Sequence, residues 1–126
     1  MANELRTAIT LECTREALVR GWPRKTVTST LAGQNFVWTR KAIGVAAEAL
    51  PLDEVTSGGF WILSNRSTTA GEIISLRSGA LGANFAVLNP GEECLVRWTW
   101  LADGASAPHA ISALGTPILE YLAFDP

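Results

Sequence analysis

Few residues in this chain have the type and spacing that chemistry requires. His109 is the one histidine among 126 residues, and Cys13 and Cys94 are the two cysteines. A zinc site needs ligands at close spacing such as C-x-x-C or H-x3-H, and these three residues offer none. The two-histidine motifs of jelly-roll metal sites cannot be built from one histidine. Asp53 and Glu54 are adjacent carboxylates, but neighbours on extended backbone point to opposite faces and form no acid–base pair together. Gly79 and Gly82 lack the Lys-Ser/Thr that a phosphate loop requires, and no G-x-S-x-G nucleophile motif occurs. Flanked by Pro108 and Ala110, His109 reads as a surface or hydrogen-bonded residue in a loop or edge strand. The expectation is a protein that is not an enzyme, with no catalytic residue, no cofactor and no metal.

The conspicuous residue type is tryptophan, present five times: Trp22, Trp38, Trp61, Trp98 and Trp100. Tryptophan fills cores, anchors interfaces and stacks on sugar rings. Trp98 and Trp100 continue the alternation of Cys94 and Val96, which assigns them to an inner face. Trp38 shares one side of its strand with Phe36, and Trp22 and Trp61 are less constrained. Phe60 and Trp61 must point to opposite faces, so at least one of them needs a covering layer from a second sheet or a neighbouring subunit. The closing segment poses the same question, with Ile118, Leu122 and Phe124 on one face and Leu119, Tyr121 and Ala123 on the other. A strand apolar on both faces is an aggregation hazard unless it is central or covered. Trp22, Trp61, Leu119 and Tyr121 are therefore the candidate contacts with another subunit.

The elements that would hold these residues are short β-prone runs between turn residues at intervals of roughly 8–12, the pattern of a sandwich or barrel. Leu5 to Cys13 alternates, and Lys25 to Leu31 is β-branched. Glu16 to Arg20 is ambiguous, and Gly21-Trp22-Pro23 is expected to break any helix there. Strands are expected over Phe36–Ile43, Phe60–Ser64, Glu72–Arg77, Phe85–Leu88, Glu93–Leu101, His109–Ala113 and Ile118–Phe124. Val45–Leu50 suits a strand or a single turn. Asn89-Pro90-Gly91-Glu92 is the clearest turn, because proline presets φ and glycine relieves the next position. The fold expected is all-β, an antiparallel β-sandwich or jelly roll of roughly eight to ten short strands. One domain is expected over residues 1–126, with residues 1–4 free to act as an N-terminal arm.

Composition narrows the function. The chain is 48% hydrophobic and 17% charged, with a mean hydropathy of +0.19. About 25% charge is usual for a globular domain, so surface covered by another subunit is one reading and a well-filled core the other. Net charge is −2, and no basic run exceeds Arg24-Lys25 or Arg40-Lys41, which argues against direct nucleic-acid binding. No signal peptide is expected, and no apolar run approaches the roughly 20 residues of a membrane span. In the reducing cytoplasm Cys13 and Cys94 are expected as free thiols packed like small hydrophobes. Asn65-Arg66-Ser67 matches a glycosylation sequon, which carries no meaning without secretion.

The order of features resembles that of small virion structural proteins of tailed bacteriophages. The matching pieces are Gly33-Gln34-Asn35-Phe36-Val37, then Ala42-Ile43-Gly44 through Glu48-Ala49-Leu50-Pro51-Leu52 to Val55, then Gly59-Phe60-Trp61-Ile62-Leu63-Ser64-Asn65. The Leu88-Asn89-Pro90-Gly91-Glu92 turn and the closing Leu119-Glu120-Tyr121-Leu122 also fit. The resemblance implies a non-enzymatic capsid decoration (cement) protein, a homo-oligomer with a trimer favoured, bound to the major capsid protein or other virion proteins. It would be assembled in the host cytoplasm and located in the virion, with no membrane partner. Two other expectations stand beside it: a tail- or neck-associated ring protein, and a carbohydrate-binding module of a fibre that uses Trp22, Trp38 and Trp61.

Overall fold

The computed structural model describes residues 4–15, 18–30, 35–56, 59–100 and 106–125. The sequence reads as one domain; the contacts group it into two compact units, residues 1–32 and 33–126.

The first unit is a two-stranded antiparallel ribbon, β1 (Glu4–Arg15) with β2 (Leu18–Thr30). Glu4 pairs with Thr30, so it belongs to the ribbon rather than to a free arm; residues 1–3 of that expected arm lie outside the described residues. Gly21-Trp22-Pro23, expected to break any helix, lies within strand β2. Ile9 pairs with Lys25 and Leu11 with Trp22, so Pro23 and Arg24 together oppose Thr10. That is a β-bulge, which tolerates proline because its missing N–H falls where the ladder is already interrupted.

Among its described residues the second unit holds eight strands: β3 (Phe36–Ala42), β4 (Glu48–Ala49), β5 (Gly59–Asn65), β6 (Ile74–Ser78), β7 (Asn84–Leu88), β8 (Glu93–Trp98), β9 (Pro108–Ser112) and β10 (Ile118–Phe124). They form two four-stranded sheets, in the orders β3-β10-β5-β8 and β4-β9-β6-β7, and every neighbouring pair is antiparallel. The first of the eight pairs with the last, the second with the seventh, the third with the sixth and the fourth with the fifth. A long hairpin wound up so that its successive pairs alternate between two sheets is a jelly roll. The expected all-β sandwich is therefore present, with jelly-roll connectivity.

Its core is filled from both sheets. Val37, Trp61, Leu63, Trp98, Leu119, Tyr121 and Ala123 come from one, and Ile74, Leu76, Leu88 and Ala110 from the other. Trp61 is the centre of an aromatic cluster. Its ring stacks on Tyr121 with centroids 5.5 Å apart, and it meets Trp98 at 5.1 Å and Trp100 at 5.9 Å. Trp98 spans to the second sheet, where its indole N–H donates to Ser78 Oγ at 3.3 Å and its ring meets Phe85 edge-on.

Turns close the wrapping as their residues dictate. At Asn89-Pro90-Gly91-Glu92, Gly91 has a φ of 81° and the Glu92 N–H donates to the Asn89 carbonyl at 3.0 Å. This is a type II turn. Glu92 Oε2 also accepts from the Asn89 N–H, and that bond holds the carboxyl below the usual range. Gly59 opens β5 where the Phe124 carbonyl comes so close that any Cβ would collide with it.

Candidate functional face

The residues with chemical potential are scattered. His109 lies within β9, an interior strand rather than the expected loop or edge, and its Nδ1 is 2.8 Å from the Ala107 carbonyl. Cys94 is a free thiol, half-buried on the inner face of β8, and burial raises its pKa. The side chain of Cys13 lies outside the described residues. No group of three His, Cys, Asp or Glu among the described residues could hold a metal ion. No helix there is long and apolar enough to cross a membrane.

Asn65 of the sequon is fully buried and serves as a structural hub. Its Nδ2 donates to the carbonyls of Glu72 at 2.8 Å and Leu88 at 3.1 Å, and its Oδ1 accepts from the Ser67 N–H. An amide so enclosed cannot accept a glycan in the folded protein.

Three of the four candidate contact residues are corrected by burial. Trp61 and Leu119 are 0% exposed and Tyr121 is 1% exposed, all facing the second sheet. Tyr121 points its hydroxyl to the Pro51 carbonyl at 2.6 Å, and desolvation pushes its pKa upward. These side chains meet their covering layer inside the sandwich and cannot touch another subunit. The side chain of Trp22 lies outside the described residues.

An exposed apolar surface is made by the alternate residues of the same strands. Register places them in rows across the sheet. One row is Trp38–Leu122–Ile62–Leu95, apolar on all four strands. The next begins Phe36–Phe124, reaches Phe60 one step beyond the Ala123–Trp61 pairing, and ends at Arg97. The row on the other side is Arg40–Glu120–Ser64–Glu93. Trp38 is 68% exposed, Phe36 61% and Ile62 43%, and Leu95 and Ile118 are also exposed.

Its polar margin is organised. Glu120 Oε1 accepts from the Trp38 indole N–H at 3.2 Å, and its other oxygen lies 3.3 Å from Arg40 Nη2 and 3.5 Å from Arg66 Nε. The indole bond first, then the arginines, hold the Glu120 carboxyl below its ordinary value. Arg97 sits over the Phe60 ring, 5.4 Å from its centroid. A shallow hollow of about 260 Å³ lies between Trp38, Ile62, Arg66, Glu93 and Glu120. The sequence pattern identified β5 and β10 as apolar on both faces; it did not reveal which of the two faces the second sheet would cover.

No family model, no curated protein and no solved structure matches this chain.

Proposed function

We propose that the chain is a non-enzymatic structural protein of a tailed-phage virion, a capsid decoration (cement) subunit that assembles with copies of itself on the head. The single observation that carries the reading is the outer face of the β3-β10-β5-β8 sheet, apolar on every strand and rimmed by charge. A stable sandwich that leaves one sheet face unfinished suits a building block whose surface is completed by assembly. The resemblance of the Gly33–Val37, Gly59–Asn65 and Leu88–Glu92 segments to phage virion proteins supplies the address, and jelly rolls are a usual architecture for such subunits. Fold alone does not assign function, so the test is made on particles. Tagged protein produced during phage growth should co-band with complete particles in a density gradient, with labels on the head. Label on the tail or neck would move it to the ring-protein alternative. Particles free of the protein would overturn the virion reading.

A second reading draws on Trp38. An exposed indole beside Arg66, Glu93 and Glu120 is the kind of platform on which sugar rings stack. A fibre-borne carbohydrate-binding role predicts that glycans shift tryptophan emission and that Trp38→Ala removes the shift. Emission unmoved across a glycan panel would end it.

A further inference from the structure

We propose that two copies of this chain pair through the outer face of the β3-β10-β5-β8 sheet, related by a two-fold axis that runs along the strands between β10 and β5. The proposal deepens the self-assembly in the function proposed above and rests on that reading.

The argument comes from the order of residues within each row. A two-fold axis in that position lays β3 of one copy on β8 of the other, and β10 on β5. In the apolar row, Trp38 then meets Leu95 and Leu122 meets Ile62, each contact made twice. In the polar row, Arg40 at one edge meets Glu93 at the other, again twice. Arg40 is well exposed although it already touches Glu120, and Glu93 has no ion-pair partner among the described residues. In the aromatic row, exposed Phe36 faces the guanidinium of Arg97, a favourable cation–π arrangement. All three rows are complementary to their own reversal, which is what an isologous interface requires.

An axis running across the strands does worse. It lays β3 on β3, and no residue of β3 is a carboxylate, so Arg40 finds no opposite charge. A three-fold ring is heterologous and would need a second, different patch to receive this one. Face-to-face sheets at about 10 Å, with strands within about 30° of each other, are an ordinary packing geometry.

Charge reversal supplies the test. Arg40→Glu would set a carboxylate against Glu93 at both ends of the pair; Glu93→Arg would set a guanidinium against Arg40 at both ends. Each variant alone is expected to weaken pairing about tenfold by sedimentation, with its circular dichroism unchanged. Mixed one to one, the two variants bring opposite charges together at both ends. In the mixed pair, the Arg40→Glu copy offers a carboxylate at position 40 to the new guanidinium of the Glu93→Arg copy, and its own Glu93 meets that copy's Arg40. Both ion pairs are thereby restored, and the mixed dimer should form with about the wild-type affinity. Ile62→Lys, at the centre of the apolar row, should abolish pairing alone and in any mixture. Single variants that pair like wild type, or a mixture that rescues nothing, would overturn the two-fold arrangement. A wild-type mass of three chains would also overturn it, while leaving the virion reading intact. Conversely, a rescued mixed dimer whose wild-type parent is absent from particles would overturn the virion reading and keep the pairing.

Discussion

Strands β3, β10, β5 and β8 present two faces built from alternate residues of the same segments, and both are apolar. The inner face carries Val37, Leu119, Tyr121, Ala123, Trp61, Leu63 and Trp98, all buried. The outer face carries Phe36, Trp38, Ile118, Leu122, Ile62 and Leu95, of which all but Leu122 are exposed. Chemistry hardly distinguishes them; what lies opposite does. The inner residues meet the second sheet across a packed core, while the outer row ends in solvent. Hydrophobicity therefore states that a face is to be covered, and the winding of the hairpin decides which one is covered within the chain.

The sharpest way to break this comparison is to cut neighbouring residues on opposite faces. Trp61→Ala removes the ring around which Tyr121, Trp98 and Trp100 pack, and should destabilise the fold by about 3–5 kcal/mol. Among the described residues the Trp61 indole N–H has no hydrogen-bond partner, so the loss is one of packing rather than of a polar contact. Ile62→Ala, one residue along and 43% exposed, should cost about 1 kcal/mol or less in the isolated chain. Denaturant midpoints at constant slope measure both. Equal losses at the two positions would mean that the outer face is already covered.

A smaller effect is expected at Asn65, which holds the end of the same strand without using hydrophobicity. Asn65→Ala strips three hydrogen bonds and leaves the buried Leu88 carbonyl short of a donor. A loss of about 2–3 kcal/mol is expected from the unmade bonds. Asn65→Asp should also destabilise, because a carboxylate has no donor for the two carbonyls. A neutral outcome for both would return Asn65 to the role of an ordinary loop residue.

This residue marks one limit of reading the sequence. Strand positions were legible because alternation and turn chemistry are local: Cys94, Val96, Trp98 and Trp100 do share the inner face, and Pro90-Gly91 does make its turn. The closing strand, apolar on both sides, is indeed interior, between β3 and β5. Pairing between residues far apart in sequence was not legible. Nothing local says that Asn65 reaches Leu88, that Pro23 sits in a bulge opposite Thr10, or that Tyr121 faces inward while Leu122 faces outward. Period-two alternation divides residues into two sets without labelling them, and that ambiguity made contact candidates of Trp61, Leu119 and Tyr121, which face inward, rather than of Ile62, Leu122 and Trp38, which face outward.

The smallest effect should come from the charged row that borders the outer face. Glu120 is held ionised by the Trp38 indole N–H and by Arg40 and Arg66, so its pKa is lower folded than unfolded. A group with a depressed folded pKa contributes stability above its unfolded value, near 4.5, and loses it as pH falls through the folded value. Glu120→Gln keeps an acceptor for the indole but removes the charge. Wild type should therefore be slightly more stable than the variant at neutral pH, and the gap should close in acid below the usual carboxylate range. Because these groups are solvated, high salt should narrow the same gap at pH 7. Thermal midpoints of the two proteins, taken across pH at concentrations too dilute for pairing, test both trends. A gap that widened in acid would show that Glu120 is not held ionised by its neighbours, and that the polar rim is organised by something other than charge.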